Sequence, residues 1–156
     1  MGPPGSGKGT YSSRIAPILG VPHISTGDIF REEVKKGTAL GKEVAGYMSR
    51  GELVPDEITM KVLKERLSKP DAAKGFILDG FPRTLRQAEE LEKITRIDSV
   101  ILLNIPEEIL IEKLTARRVC SNCGAIYNIA DIHRTVDGEE YAYDQFREDL
   151  ACWLGA

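Results

Sequence analysis

Gly2-Pro3-Pro4-Gly5-Ser6-Gly7-Lys8-Gly9-Thr10 places four glycines, one lysine and two hydroxyls within nine residues. Glycines at this density let the backbone turn with its N–H groups inward, which makes a nest for phosphate oxygens. A helix expected from Lys8 toward Leu19 adds the positive end of its dipole. Lys8 supplies a flexible point charge for bridging phosphates. The simple Walker A formula wants Ser or Thr directly after the lysine; here Gly9 intervenes and Thr10 follows. A mere glycine-rich turn is the plainer alternative, but the spaced glycines, the lysine and the helix agree on phosphate.

Asp79 closes the apolar run Gly75-Phe76-Ile77-Leu78-Asp79. Ligands of parallel α/β sheets bind beyond the carboxyl ends of strands. An acid there either caps the strand or holds Mg2+ while the ion bridges phosphates. Arg83 follows in Phe81-Pro82-Arg83 and suits bidentate grip of an anion. Ser25-Thr26-Gly27-Asp28 joins a strand end to a helix start, where hydroxyls cap the helix or face a nucleotide. Arg31, one turn on, is either a surface arginine or a phosphate contact. Arg117-Arg118 ends an expected helix, where positive charge is favourable by itself and also useful to a transferring phosphoryl group. His23 reads as a core histidine of a short strand, and no Ser-His-Asp or Cys-His arrangement follows from spacing.

Three cysteines, Cys120, Cys123 and Cys152, cannot pair fully within one chain. Cys120-Ser121-Asn122-Cys123-Gly124 has the spacing of half a zinc knuckle. Free thiols, a metal site and a redox role remain as readings, the last without a thioredoxin-like setting.

The elements that must position these groups alternate. Helices are expected over Lys8–Leu19, from Gly27-Asp28 through Lys36, over Ala39–Arg50, Asp56–Ser68, Thr84–Lys93 and Pro106–Arg117. Strands are expected over Val21–Ser25, Gly75–Asp79 and Ser99–Asn104, the last for its continuous Val100-Ile101-Leu102-Leu103 run. That order predicts an α/β fold with a parallel sheet flanked by helices. Beyond Cys120 the alternation stops, apart from a short helix expected near Tyr143–Leu150. Only Met1 precedes Gly2, so the buried strand that normally leads into a phosphate loop is expected to be absent or replaced by another segment.

The 156 residues carry 21 Lys and Arg against 24 Asp and Glu, a net charge of −3, with 42% hydrophobic and 29% charged residues. That composition suits one folded domain with an inserted lobe and excludes disorder. Mild acidity argues against a general nucleic-acid coat. No apolar run approaches the roughly 20 residues of a membrane span, and no secretory signal opens the chain. The cytoplasm is the expected compartment.

Together, the phosphate loop, Ile24-Ser25-Thr26-Gly27-Asp28, Asp79-Gly80-Phe81-Pro82-Arg83-Thr84, Gln87 and Arg117-Arg118-Val119 resemble the adenylate kinase family, over about residues 2–129. The resemblance implies reversible phosphoryl transfer from MgATP to AMP, giving two ADP. By it, Lys8, Arg83 and Arg117 would be catalytic. Gly5, Ser6, Gly7, Gly9 and Thr10 would line the nucleotide site, and Asp79 would organise the water shell of Mg2+. Thr26, Arg31, Arg83 and Gln87 would form the AMP side, with Gln87 reading the adenine edge. It implies a core over residues 1–119, a helical AMP-binding lobe at about 27–60, and a partial or divergent lid and tail over 120–156. Cys120 and Cys123, with Tyr127-Asn128, look like the opening of a zinc-type lid, so structural Zn2+ is an implied ligand, but the second cysteine pair does not appear. Lys113 stands where many relatives have an arginine. The lid arginines, the opening strand and the family's last strand and helix are not recognisable. Two alternatives therefore stand beside the kinase: a nucleotide-binding module with little or no catalysis, and a kinase for CMP or UMP. ATP and AMP are the expected partners, without nucleic acid or membrane.

Overall fold

Helix α1 (Lys8–Leu19) starts at the phosphate-loop lysine and runs on through Pro17. It leads into a short strand, β1 (His23–Ser25). A computed structural model describes residues 1–119 and 126–143. The chain divides into two units, one comprising Met1 and residues 8–102, the other residues 2–7 and 103–156.

In the first unit β1 is followed by α2 (Thr26–Lys36), α3 (Ala39–Ser49), α4 (Asp56–Leu67), a 3-10 turn at Pro70–Ala72, β2 (Ile77–Asp79) and α5 (Leu85–Glu92). Strands β1 and β2 pair in parallel, with Ser25 opposite Asp79. Helix starts are fixed by side chains that accept from orphan N–H groups. Ser25 accepts from Asp28 N, Thr38 from Gly41 N and Thr84 from Gln87 N. Gly37 ends α2 in the left-handed conformation at φ 66°.

One core of this unit gathers Ile24, Met60, Leu63, Ala72, Phe81 and Leu91. It ties β1, α4 and α5 to the segment after β2. A second, of Phe30, Val44, Val54 and Val62, joins α2, α3 and α4. Leu63 and Val44 are fully buried, and each such aliphatic side chain contributes about 1.5–3 kcal/mol. Gly41 is a packing residue: a Cβ there would lie 2.1 Å from the Glu33 carbonyl oxygen, so α2 and α3 meet backbone to backbone.

The run Ser99–Asn104 does not form the expected strand. Val100, Ile101 and Leu102 are 67%, 66% and 69% exposed. A strand needs a hydrogen-bonded neighbour as well as apolar side chains. The Met1 ammonium donates to Ile101 O, but no strand ladder includes this run among the described residues.

In the second unit, α6 (Glu107–Thr115) is followed by β3 (Arg117–Val119), β4 (Ile126–Asn128), β5 (Ile132–Val136) and β6 (Glu139–Tyr143). Pairs β3–β4 and β5–β6 are antiparallel. Ile109, Ala130 and Ile132 form its core. The helix expected to reach Arg117 stops at Thr115, because Arg117–Val119 enter the ladder with β4. Arg118 still serves the helix end, donating 2.8 Å to Thr115 O. Tyr143 belongs to a strand, and the rest of the helix expected near Tyr143–Leu150 lies outside the described residues. Asp137 and Gly138 both have positive φ, 52° and 85°, which is the turn that joins β5 to β6.

The architecture is therefore α/β, with helices, one parallel pair and two antiparallel pairs of strands among the described residues. Among those residues no helix is long and apolar enough to cross a membrane.

Candidate functional site

Asp79 occupies the carboxyl end of β2, and its side chain is 12% exposed. Its Oδ2 lies 3.3 Å from where a Cβ on Gly9 would sit. The residue that interrupts the simple Walker spacing thus opens the first turn of α1 to the carboxylate. Lys8 lies within electrostatic reach of both Asp79 and Arg83. Burial lowers the Lys8 pKa below the usual lysine value; Asp79 opposes that shift and Arg83 adds to it. Arg83 is exposed, and its Nε donates 2.7 Å to Gly80 O. One acid and two cations so converge beyond β2. Thr10, in the first turn of α1, is exposed.

His23 Nε2 stands 3.4 Å from Asp79 Oδ2. The sequence suggests a packing role for this histidine. The parallel register puts His23 and Ser25 on one face of β1, with Ser25 opposite Asp79. That pairing is set by two segments far apart in the chain, and nothing local in the sequence signals it.

Thr26 is buried, and its hydroxyl donates 3.4 Å to Gly80 O. Arg31 donates 2.5 Å to Asp28 Oδ1, and both side chains are mostly exposed. Burial by itself would raise the Asp28 pKa. The hydrogen bonds from Arg31 and with Ser25, with the Arg31 and His23 charges, outweigh it and hold the carboxyl below its usual value.

Gln87 is 2% exposed. Its Oε1 accepts 2.7 Å from Arg83 N, and its Nε2 donates 2.7 Å to Asp56 Oδ1. Thr84 donates 3.2 Å to the other Asp56 oxygen. Asp56 is the residue that sequence reasoning missed here: an acid in the first turn of a helix is already explained by the dipole, so it carried no further signal. A cavity of about 370 Å3 is lined by Asp56, Met60, Lys64, Arg86, Gln87 and Glu90, among others.

Gly5, Ser6, Gly7 and Arg117 belong to the other unit. There Gly5 and Gly7 have φ 84° and 90°, which side-chain-bearing residues rarely adopt. Ser6 is buried, and its Oγ has no hydrogen-bond partner among the described residues. Such an orphan is costly unless a ligand or water meets it. Arg117 is exposed, with Asn128 opposite it across the β3–β4 ladder. Lys113, in α6, has its ammonium 4.4 Å from the centre of the Tyr143 ring, and burial lowers its pKa. Cys120, Cys123 and Cys152 lie outside the described residues. Among the described residues no group of three His, Cys, Asp or Glu is arranged to hold a metal ion.

The adenylate kinase family profile matches residues 1–150. The chain belongs to the adenylate kinase family. It is 54% identical over 134 residues to the adenylate kinase of Archaeoglobus fulgidus, an alignment covering 83% of this chain and 62% of that protein. Identity to the adenylate kinase of Thermosipho africanus is 50% over 144 residues, covering 89% of this chain and 67% of that one. To the adenylate kinase of Staphylococcus aureus strain Mu50 it is 52% over 143 residues, covering 88% and 66%. The chain thus spans about two thirds or less of the length of these adenylate kinases.

Proposed function

We propose that this chain carries out reversible phosphoryl transfer from MgATP to AMP, giving two ADP. The observation that carries the reading is the convergence of Lys8, Asp79 and Arg83 beyond the carboxyl end of β2, with Gly9 open to the carboxylate. Family membership supports it. Phosphoryl transfer asks for positioning and charge neutralisation and needs little covalent chemistry from side chains.

In this reading Gly5, Ser6, Gly7, Lys8, Gly9 and Thr10 receive the ATP phosphates, and Lys8 offsets their charge. Ser6 Oγ is the orphan that a phosphate oxygen satisfies. Asp79 fits a Mg2+ site: it is a hard oxygen donor beside an open glycine Cα, and Mg2+ binds through one or two carboxylates, water and phosphates. When bound, Mg2+ neutralises charge on the phosphates. Arg83 and Arg31 grip the AMP phosphate, Thr26 lines the AMP side, and Gln87 meets the base. Arg117 holds phosphates during transfer.

Residues 27–60 act as the AMP-binding lobe, 1–119 as the core that carries it, and 120–156 as a partial lid and tail. Structural Zn2+ on Cys120 and Cys123 belongs to this reading, and zinc content lost on changing either cysteine tests it.

A coupled ADP assay with MgATP and AMP, CMP, UMP or GMP tests the activity. Turnover with AMP is expected. Absence of turnover with every acceptor removes the enzymatic reading, and a preference for CMP or UMP moves it to a related kinase. The exposed run Val100–Leu102, outside every strand pair among the described residues, favours one second reading, nucleotide binding without turnover. It predicts measurable AMP or ATP affinity with negligible ADP formation.

A further inference from the structure

A glutamine amide has nearly the same shape after a half-turn that exchanges its oxygen and nitrogen. By itself, therefore, Gln87 pairs with either of two base edges. One offers an acceptor ring nitrogen beside an amino group, as in adenine. The other offers a ring N–H beside a carbonyl, as in hypoxanthine. What selects between them is whatever fixes the amide.

Two groups of opposite character fix it here. The Arg83 backbone N–H can only donate, and it meets Oε1 at 2.7 Å. The Asp56 carboxylate can only accept, and it meets Nε2 at 2.7 Å. Turning the amide over sets donor against donor at Arg83 and acceptor against acceptor at Asp56. Asp56 is itself held, by Thr84 at 3.2 Å on its other oxygen, and Thr84 also caps Gln87 N at 3.1 Å. Each Gln87 amide atom keeps one valence, an N–H and a lone pair, in a fixed order. Asp56 and Gln87 both line the 370 Å3 cavity, so the network borders open space.

We propose that Asp56 is a specificity-determining positioning residue: by pinning the Gln87 amide it makes the acceptor site select a 6-amino purine monophosphate over its 6-oxo counterpart. This rests on the reading of Gln87 as the residue that meets the acceptor base. A site built from oriented hydrogen bonds rejects the mismatched edge because its own buried groups are then left unpaired.

The test compares AMP with IMP, which differ at this edge alone. Wild-type chain, Asp56→Asn, Asp56→Ser and Gln87→Ala are assayed for kcat/KM with saturating MgATP, and for AMP and IMP affinity by calorimetry. Thermal melts report folding of each variant. Asp56→Asn is isosteric but can donate as well as accept, so the amide is freed on one side. The AMP-to-IMP preference is expected to fall about tenfold, mainly through tighter IMP binding, and Asp56→Ser shifts it in the same direction. The Arg83 N–H still opposes the flip, so preference does not vanish. General destabilisation does not change this ratio. A folded Asp56→Asn chain with the wild-type ratio overturns the proposal, as does an unchanged ratio in Gln87→Ala. Loss of turnover with AMP binding retained leaves the calorimetric ratio as the readout. No AMP binding by the wild-type chain overturns the functional reading and this inference together, an outcome distinct from an unchanged ratio.

Discussion

The proposed acceptor site has two sides built in opposite ways. On the base side, Gln87 is buried and bonded at both amide atoms, and its partner Asp56 is bonded at both oxygens. On the phosphate side, Arg31 and Arg83 are exposed and make single short-range contacts, to Asp28 and Gly80. Under the proposed function, the difference matches what each side would recognise. A hydrogen-bonding edge is read by direction, so its reader must be held. A phosphate is read chiefly by charge, and Coulomb attraction tolerates motion of a few tenths of an ångström. Base-side changes should therefore show in stability and selectivity, and phosphate-side changes in rate.

The sharpest division is expected at Lys8. Lys8→Met should lower turnover about 1,000-fold with little change in melting temperature, since a charge acting on the transferring group is lost. Arginine at position 8 should not restore it, because a planar fork does not replace a point charge. A large drop in melting temperature would show that Lys8 is structural and break the contrast.

Gln87→Ala comes next, with the opposite signature. It leaves Asp56 and the Arg83 N–H without their partner in a buried setting, at a cost of about 2 kcal/mol in chemical denaturation. Gly9→Ala tests the boundary between the sides. Its Cβ would press on Asp79 at 3.3 Å, and the Mg2+ concentration for half-maximal rate should rise about tenfold.

The smallest effect is expected at Arg31. Arg31→Ala should return the Asp28 pKa upward toward the ordinary carboxyl value, measured by NMR titration. The pair's stabilisation is present at neutral pH and is lost as pH falls through the depressed Asp28 value. With both side chains mostly exposed, it amounts to less than about 0.5 kcal/mol.

Much of this arrangement was legible along the chain. The run ending in Asp79 is a strand, Asp56–Leu67 is a helix, and Ser25 caps α2. Each of these is decided locally, by an apolar run, a helical stripe or a hydroxyl at the right offset. What escaped depends on partners. Gly75–Asp79 and Ser99–Asn104 read alike, yet among the described residues only the first holds a strand paired with another strand. The β5–β6 hairpin was missed although Asp137-Gly138 marks its turn, because the flanking strands mix aromatic and acidic residues without clean alternation. Asp56 and Gln87 are 31 positions apart, and no periodicity connects them.

The seat of Gly41 on the Glu33 carbonyl bears on mechanics. Where two helices touch through long side chains, rotamers yield and the helices slide. Where they touch backbone to backbone, with room for only a hydrogen, there is no compliant layer. Helices α2 and α3 then transmit force as one rigid lever, which the Phe30, Val44, Val54 and Val62 core couples to α4.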